Sequence, residues 1–304
     1  MIAEIRRSDA DIVHVHLPNP MATMAYLASR HRGKLVITYH SDVVRQKVMA
    51  RAFRPILYRL LSRASAIIAT SPNYIATSSV LRAFRDRCQV IPYGIPLEQF
   101  ALSDKTKVES IRQKHGERLV LSVGRLVYYK GFEYLIRAMA KVNGRLLIIG
   151  DGPLRRSLEH LARELGVADR VVFLGELPNE ATIPYYHAAE LFALASIARS
   201  EAFGIVQLEA MACGKPVINT RLDSGVPFVS LDGVTGLTVQ PRDAEALANA
   251  INTLLDDSEL RSQYGAAARQ RVRAEFSLDG MTGRMLQLYA QVVGQSRGDI
   301  NRGH

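Results

Sequence analysis

Short apolar runs alternate along the chain with longer stretches in which apolar residues recur every three or four positions. The short runs are rich in Val, Ile and Leu and are bounded by Gly, Pro or polar residues, which is typical of buried parallel strands. The longer stretches have the spacing of amphipathic helices. Repeated alternation of the two patterns predicts an α/β fold with parallel sheets.

The predicted strands form two series, separated by a polar stretch, 94–115, that has no clean period. Strands of the first series are predicted at 12–16, 35–40, 66–70 and 89–92, with helices at 20–31, 43–63 and 73–85. Strands of the second are predicted at 119–123, 145–149, 171–174, 191–195, 216–219 and 236–239, with helices at 131–142, 153–165, 180–189, 204–212 and 243–256. More helix is predicted from 258 to 295, with a break near 277–280.

A length of 304 residues suffices for two domains. We therefore expect an N-terminal α/β domain at 1–100, a linker at 101–115, a C-terminal α/β domain at 116–280, and a terminal helix with a tail at 281–304.

The composition, 48% apolar and 22% charged, is that of a globular protein with a large core. The two cysteines, Cys88 and Cys213, exclude a disulfide framework and indicate a reducing compartment. No apolar run approaches the roughly 18 residues of a membrane-spanning helix, and the N-terminus lacks the apolar region of a signal peptide. We therefore expect a cytoplasmic protein.

The net charge of +10 is concentrated in the first third of the chain. Residues 1–100 contain 14 Lys and Arg against 6 Asp and Glu, which gives +8. Such asymmetry indicates an anionic partner: nucleic acid, an anionic membrane surface or a lipid diphosphate. Nucleic acid is the least favoured, because the chain has no zinc-ligand spacing, recognition helix or RNA-binding signature.

Two glutamates, Glu201 and Glu209, are separated by seven residues across a predicted strand–loop–helix junction. A helix that begins near Gly204 places Glu209 about one and a half turns inside it and Glu201 in the preceding loop. Two carboxylates then bracket the positive end of a helix, which attracts anions. A nucleotide sugar, with hydroxyl groups at both ends and phosphates between them, fits this arrangement. The alternative is a pair of solvated carboxylates on a surface helix.

The stretch around these glutamates has Phe-Gly after the first and Ala-Met-Ala-Cys-Gly-Lys-Pro after the second. It resembles the E-x7-E signature of retaining glycosyltransferases of family 4. The resemblance implies the GT-B fold, in which two Rossmann-like domains face each other across a cleft. It also implies that Glu209 accepts hydrogen bonds from the ribose and that Glu201 faces the transferred sugar. The backbone amides around Phe203, Gly204 and Ile205 would hold the sugar and the diphosphate.

A second motif, Gly-Arg-Leu-Val-Tyr-Tyr-Lys-Gly, begins at Gly124 and follows the predicted strand 119–123. Open α/β sheets bind ligands at the carboxyl ends of their strands, and Arg125 and Lys130 can neutralise a diphosphate leaving group. The stretch resembles the family's G-R-x4-K-G motif, in which both basic residues hold the donor diphosphate. The alternative is two solvated charges near a helix cap.

The resemblance also implies a front-face mechanism, in which the leaving diphosphate takes the proton of the acceptor. Catalysis then depends on stabilising the leaving group and on positioning, with neither glutamate as a nucleophile and no metal. Lys130→Ala is accordingly expected to lower turnover far more than stability. Two further loops resemble donor-binding loops of the family. Gly150 belongs to a Gly-Asp-Gly-Pro turn with a mainly structural role, and Leu177 belongs to a loop along the nucleotide base.

Three histidines lie on the first two predicted strands. The family keeps a His at the end of the second strand, facing the sugar across the cleft, and the resemblance implies that His40 bonds a sugar hydroxyl. His14 and His16 alternate on the first strand and share a face. They are either core histidines with satisfied nitrogens, which is the favoured interpretation, or one of them contacts a ligand.

The segment 42–63 is a candidate surface for the acceptor. It has one acidic residue, Asp42, and the basic residues Arg45, Lys47, Arg51, Arg54, Arg59 and Arg63. The apolar positions between them are Val44, Val48, Phe53, Ile56, Leu57, Leu60 and Leu61. Such a segment either lies on an anionic membrane or is a core-facing helix with a solvated basic face. Similar family members act on lipid-linked saccharides, which favours the inner face of the cell membrane. Pro55 is expected to prevent one straight helix.

GT-B proteins usually begin with a strand and a Gly-rich loop, whereas this chain opens with the equivalent of a middle strand. We therefore expect an N-terminal domain that lacks its first β/α units. Truncation, a misassigned start and an unusually short family member are the explanations that we consider.

Together these features predict retaining transfer of a hexose from a nucleoside diphosphate sugar to a saccharide or lipid-linked acceptor. The run 39–47 is similar to mannosyl- and related transferases of bacterial polysaccharide assembly, so GDP-mannose is the first donor expected, ahead of UDP-hexoses. Two rival hypotheses are a sugar-nucleotide epimerase or hydrolase of the same fold, and a non-catalytic nucleotide-sugar-binding module with an incomplete N-terminal domain.

Overall fold

The computed structural model describes residues 1–43, 47–101 and 104–300. The chain forms two compact units. The first comprises Met1–Tyr93 together with the chain from Asp279 onwards, and the second comprises Gly94–Leu278. Each unit contains one parallel sheet with helices packed on it. The α/β fold with two parallel sheets is therefore confirmed.

The strands and helices alternate along most of the chain. The strands are β1 (Ile12–Leu17), β2 (Lys34–Tyr39), β3 (Ala66–Ala69), β4 (Cys88–Val90), β5 (Leu119–Val123), β6 (Arg145–Ile149), β7 (Val171–Gly175), β8 (Leu191–Ala193), β9 (Val217–Thr220) and β10 (Gly236–Val239). The helices are α1 (Ile2–Arg7), α2 (Pro20–Ser29), α3 (Lys47–Leu61), α4 (Pro72–Thr77), α5 (Ser79–Arg82), α6 (Glu98–Ala101), α7 (Lys105–His115), α8 (Phe132–Ala138), α9 (Arg155–Glu164), α10 (Asn179–Ala188), α11 (Ile205–Ala212), α12 (Val226–Val229), α13 (Ala244–Asp256), α14 (Ser258–Glu275) and α15 (Leu278–Ile300).

The sheet of the first unit has the strand order β1-β2-β3-β4, all parallel. Every residue of β2 except Lys34 is buried, because both faces of such a sheet are covered. Val36 and Ile68 pack in one apolar cluster with Leu288 and Val292 of α15. The C-terminal helix is therefore part of the core of the first unit.

The sheet of the second unit has the order β10-β9-β8-β5-β6-β7, also all parallel. The chain adds β6 and β7 on one side of β5 and then β8 to β10 on the other. Ligands bind doubly wound sheets at this kind of reversal, beyond the carboxyl ends of the strands. The loop after β5 is thus the natural place for a binding site.

The irregular linker predicted at 101–115 is wrong, because Lys105–His115 forms helix α7 and belongs to the second unit. Asp104 caps this helix by accepting hydrogen bonds from the amides of Thr106 and Lys107. A strongly polar helix shows little apolar periodicity, which is why the sequence pattern does not reveal it. The unit boundaries at 93/94 and 278/279 differ from the predicted 100 and 280.

Two other local predictions are corrected. Helix α3 runs through Pro55 without interruption. Pro55 is exposed, so water can hydrate the carbonyl that loses its helical partner. The helix predicted at 73–85 is divided at Ser78, whose hydroxyl accepts from the Leu81 amide and starts a second short helix.

Candidate active site

The loop after β5 is shaped by two glycines. Gly131, which precedes α8, has a φ of +67°, and a β-carbon there would lie 2.0 Å from the carbonyl oxygen of Ala195. Only glycine combines this left-handed backbone with so close a contact. Gly124 leaves room for the Lys130 side chain, whose Cε and Nζ would lie 3.2 Å from an added β-carbon. The loop therefore holds Lys130 immediately before the start of α8.

Lys130 and Glu201 form a buried ion pair. The Nζ–Oε2 distance is 2.7 Å, and each side chain is only 11% exposed. The hydroxyl of Ser196 donates to the same Glu201 oxygen at 3.1 Å. The basic residue assigned to the diphosphate and the carboxylate assigned to the sugar are thus direct partners.

Helix α11 begins beside this pair. Gly204 precedes the helix with a φ of +74°, and no side chain caps it. The first amides of a helix have no partner within the helix, so those of Ile205 and its neighbours can bind an anion. The side chain of Phe203 is buried against Phe276. Only the backbone of Phe203 is therefore suited to ligand binding.

Glu209 lies inside α11, and the hydroxyl of Tyr186 donates to its Oε2 at 2.6 Å. Burial raises the pKa of Glu209, whereas the hydrogen bond from Tyr186 and the charge of Lys130 oppose that rise. One carboxylate oxygen is thus held by Tyr186. Sequence reasoning missed Tyr186, because no motif connects this tyrosine with the glutamate 23 residues further along the chain.

A cavity of about 450 Å³ in the second unit brings several predicted residues together. Its wall includes Gly124, Arg125, Gly150, Leu177 and Glu209. Sequence reasoning missed other residues of this wall, namely Ile95, Pro96, Gln99, Phe100, Asn179, Thr182, Ile183 and Val206. Lys130, Glu201, Phe203, Gly204 and Ile205 do not line this cavity.

The cavity wall has one feature that favours an anionic ligand and one that orders its loops. The Arg125 side chain is exposed, and the described part of the chain offers it no ion pair or hydrogen bond. Gly150 approaches the neighbouring loop so closely that a β-carbon would lie 2.2 Å from the Gly124 carbonyl oxygen. The two loops beyond β5 and β6 are therefore in direct backbone contact, which holds the backbone on both sides of Arg125.

His40 belongs to the first unit, unlike the other predicted site residues. Its Nδ1 is hydrogen-bonded to the Tyr93 hydroxyl, and its Nε2 lies 2.8 Å from Nδ1 of His16. Burial, followed by the proximity of His16, lowers the pKa of His40. Both ring nitrogens of His40 are therefore occupied within the protein.

The two histidines of β1 have different environments. His14 is half-buried, with Nδ1 at 2.6 Å from the Tyr289 hydroxyl and Nε2 at 2.7 Å from the Thr38 hydroxyl. Burial, together with His16 and His40, lowers its pKa to about 4. The interpretation as a satisfied histidine therefore fits His14, whereas His16 is exposed.

Helix α3 exposes its basic side and buries its apolar end. Leu60 and Leu61 are fully buried, and the exposed arginines are Arg51, Arg54 and Arg59, with Arg63 just after the end of the helix. Val44 and Arg45 lie outside the described residues, as do the side chains of Lys47 and Val48. Among the helices described, none is both long enough and apolar enough to cross a membrane.

Comparison with known proteins identifies the family. Residues 103–271 match the family described as glycosyl transferases group 1, and residues 1–99 match the one described as glycosyltransferase family 4. The chain belongs to the group 1 glycosyltransferases. The GT-B fold and the hexosyltransferase class expected from the sequence are thereby confirmed.

Two relatives are similar over most of their length. The O-antigen chain mannosyltransferase C of Escherichia coli is 34% identical over 288 residues, which is 94% of this chain and 77% of the relative. The D-rhamnosyltransferase WbpZ of Pseudomonas aeruginosa is 34% identical over 270 residues, which is 89% of this chain and 71% of the relative. This glycosyltransferase is thus similar to enzymes of glycan biosynthesis.

Two solved structures have the same fold. Sucrose-phosphate synthase from Thermosynechococcus elongatus matches with a TM-score of 0.83 and 31% identity, over 96% of this chain and 76% of that one. HepE from Anabaena in complex with UDP-glucose matches with a TM-score of 0.82 and 23% identity, over 95% of this chain and 82% of that one.

Proposed function

We propose that this glycosyltransferase transfers a hexose from a nucleoside diphosphate sugar to a saccharide or lipid-linked acceptor, with retention of the anomeric configuration. The observation that carries the proposal is the cavity of the second unit, which places the exposed Arg125 and the partly buried Glu209 in one wall. In a nucleoside diphosphate, the phosphates can pair with the Arg125 cation, and the ribose hydroxyls can donate to the Glu209 carboxylate.

The proposed mechanism depends on the positively charged groups that can stabilise the leaving nucleoside diphosphate. Departure of the nucleoside diphosphate develops negative charge on its oxygens, which Arg125, Lys130 and the first amides of α11 can stabilise. Three such groups supply the charge that a metal ion provides in other transferases, so we propose that the reaction needs no metal. The leaving diphosphate would then accept the proton of the attacking hydroxyl.

For the donor we propose a sugar of the manno configuration, with GDP-mannose first. The two relatives above are named as a mannosyltransferase and a D-rhamnosyltransferase, and D-rhamnose is 6-deoxy-D-mannose. A UDP-hexose is the alternative donor, supported by the UDP-glucose complex of HepE, which has the same fold.

We also propose that α3 makes peripheral contact with an anionic membrane at its inner, cytoplasmic face. The exposed arginines of α3 and its neighbourhood support this contact, because each basic residue near such a surface contributes about 1 kcal/mol. Binding to vesicles with and without anionic lipid measures it. Equal binding to both kinds of vesicle contradicts the proposal.

Calorimetric titration of the whole chain with GDP-mannose, UDP-glucose, GDP and UDP tests the donor site. We expect one nucleotide set to bind, and we expect Glu209→Ala to abolish that binding. Glu259→Ala, at an exposed position in α14 that does not line the cavity, is the matched control. A folded protein that binds none of the four ligands contradicts the proposal.

Product analysis separates transfer from its rivals. A transferase consumes the donor and forms a new glycosidic product only when a saccharide or lipid-linked acceptor is added. Rearrangement or hydrolysis of the donor at the same rate without acceptor indicates an epimerase or hydrolase. Donor binding without turnover under any condition indicates a binding module. The anomeric configuration of the product, read by NMR, tests retention.

A further inference from the structure

Two side-chain amides, those of Asn219 in β9 and Gln207 in α11, are fully buried in the second unit. The amide nitrogen of Asn219 donates to the side-chain oxygen of Gln207 at 3.0 Å. The amide nitrogen of Gln207 in turn donates to the carbonyl oxygen of Phe203 at 3.0 Å. The two amides therefore connect the sheet with the loop that carries Glu201.

The orientation of both amides follows from their partners. The nitrogen of Asn219 also faces two backbone carbonyl oxygens, those of Val226 and Ser230, each at 3.2 Å. Because carbonyl oxygens only accept hydrogen bonds, the nitrogen of Asn219 must point toward them. The oxygen of Gln207 must then face Asn219, and the nitrogen of Gln207 must face the Phe203 carbonyl.

The backbone around Gly204 is held by its carbonyl oxygens. The carbonyl of Ala202 accepts from the Gly225 amide at 2.7 Å, and that of Gly204 accepts from the Gln207 amide at 2.9 Å. Gly204 has a φ of +74°, and a β-carbon there would lie 2.8 Å from the side-chain nitrogen of Gln207. The glycine therefore leaves the room that the Gln207 side chain needs to reach the Phe203 carbonyl.

The amide of Gly204 points away from this network. In a trans peptide such as Phe203–Gly204, the carbonyl and the N–H point in opposite directions. Gly204 is buried, and its amide has no hydrogen-bond partner within the part of the chain that the structure describes. Since buried amides are rarely left unpaired, this N–H is a donor that remains available to a ligand.

We propose that Gln207 and Asn219 are positioning residues for the proposed glycosyl transfer. By fixing the Phe203 carbonyl, they hold the Gly204 amide in the direction in which it binds the diphosphate of the donor. The inference rests on the proposed function, in which the amides at the start of α11 stabilise the leaving diphosphate. It gives a role in the reaction to two buried side chains that touch neither donor nor acceptor.

Stability alone does not call for this network. A buried hydrogen bond contributes little net stability, and apolar groups of the same shape can replace its two partners. A chain of directed hydrogen bonds instead specifies one orientation of one peptide, and each bond in it polarises the next. Direction is what matters for a donor that stabilises developing charge, because such a donor acts only when it is already aimed at that charge.

Selective isotope labelling observes this one peptide. The sequence contains a single Phe-Gly pair, so protein labelled with ¹³C at the Phe carbonyl and ¹⁵N at Gly has one doubly labelled peptide, Phe203–Gly204. We expect its amide signal to shift when inorganic pyrophosphate is added in place of the donor diphosphate. An amide that shifts with none of pyrophosphate, GDP and UDP overturns the inference.

Two substitutions of Gln207 test the positioning. Gln207→Met removes the donor to Phe203, whereas Asn219 keeps its two backbone carbonyl partners. We expect the ¹³C signal of Phe203 to move without ligand, the affinity for pyrophosphate to fall roughly fivefold or more, and kcat/KM to fall roughly tenfold or more.

Gln207→Glu is the conservative variant. A protonated carboxyl has the polarity of the amide that it replaces, because its C=O accepts from Asn219 and its O–H donates to Phe203. Burial favours this protonated form. At low pH, compared with the unmodified protein at the same pH, Gln207→Glu should therefore keep the pyrophosphate response that Gln207→Met loses.

Two control variants separate positioning from stability. Gln113→Met makes the same change at an exposed position of α7, and Ile251→Val removes one methyl group from the fully buried core of the same unit. Neither should alter the pyrophosphate response of the labelled peptide. If Ile251→Val lowers that response as much as Gln207→Met does, or if Gln207→Glu loses it at low pH, the inference is wrong.

The outcomes separate this inference from the proposed function. If the unmodified protein transfers sugar but Gln207→Met keeps both its kcat/KM and its pyrophosphate response, the positioning is wrong and the proposed function stands. If no nucleotide sugar binds, the proposed donor is wrong, and a pyrophosphate response that depends on Gln207 still supports the positioning of an amide toward a diphosphate.

Discussion

Removing one member of the Lys130–Glu201 pair should cost both stability and turnover. In Lys130→Met the Glu201 carboxylate stays buried and keeps the hydrogen bond from the Ser196 hydroxyl. Leaving one charge of a buried pair without its partner costs about 3–5 kcal/mol. The remaining Ser196 bond and the 11% exposure favour the lower end, about 3 kcal/mol. For a unit of this size each kcal/mol lowers Tm by about 2–4 °C, so we expect a decrease of roughly 6–12 °C.

The double variant Lys130→Met/Glu201→Gln separates the two effects. It removes both charges, and replacing a buried pair by neutral groups is often close to neutral for stability. We therefore expect the double variant to regain most of the lost stability while its turnover stays low, since in the proposed reaction the leaving diphosphate still lacks Lys130. This differs from the expectation from sequence alone, in which Lys130→Ala lowers turnover far more than stability.

Thermal and denaturant unfolding measure the stability of each variant, and the rate of donor consumption in the presence of acceptor measures its turnover. The exposed pair of Lys141 and Glu245, at 3.1 Å with side chains 63% and 72% exposed, is the control, and Lys141→Met should cost less than about 1 kcal/mol. If Lys130→Met is as mild as Lys141→Met, and the double variant is simply additive, the pair does not stabilise the fold and the reasoning is refuted.

Three further substitutions test other parts of the site. Tyr186→Phe removes the hydrogen bond that opposes the burial-raised pKa of Glu209, so that pKa should rise further. Because the proposed ribose contact needs the carboxylate, lowering the pH should weaken nucleotide binding at a higher pH than in the unmodified protein, as a pH series of titrations measures. Arg125→Ala, at an exposed side chain, should leave Tm unchanged and weaken nucleoside diphosphate binding by roughly 10- to 100-fold in calorimetry; equal affinity would contradict its role. Gly131→Ala should destabilise by at least about 2 kcal/mol in denaturant unfolding, whereas Gly283→Ala, where an added β-carbon meets nothing within 4 Å, should not.

The central strands of each sheet were predictable because they are buried on both faces. A continuous apolar run such as β2 differs from its polar surroundings whatever the tertiary structure around it. Helix α7 was not predictable, because its residues are almost all polar and its one local sign in the sequence is the capping residue Asp104. Its role is tertiary: it packs on α10, and no periodicity within the segment encodes that contact.

The site was predictable where a local motif defines it and unpredictable where the partner is distant in sequence. Spacing relates Glu201 to Glu209 because both belong to one strand–loop–helix junction. The partnership of Lys130 with Glu201 joins loops after two different strands, and that of His40 with Tyr93 spans 53 residues. Such contacts depend on strand order, which the apolar pattern does not specify.

The ion pair also bears on how this enzyme distinguishes donor from product. Because Glu201 is paired with Lys130, a diphosphate that binds Lys130 as proposed must displace the carboxylate, which is costly to leave buried and unpaired. A nucleotide sugar carries hydroxyl groups that can donate to the displaced carboxylate, whereas a nucleoside diphosphate carries none at that position. The same pair would therefore weaken the product relative to the donor and favour product release. It follows that Glu201→Gln should bind the nucleoside diphosphate more tightly than the unmodified protein does while binding the nucleotide sugar no better, and calorimetry of both ligands on both proteins decides whether that exchange occurs.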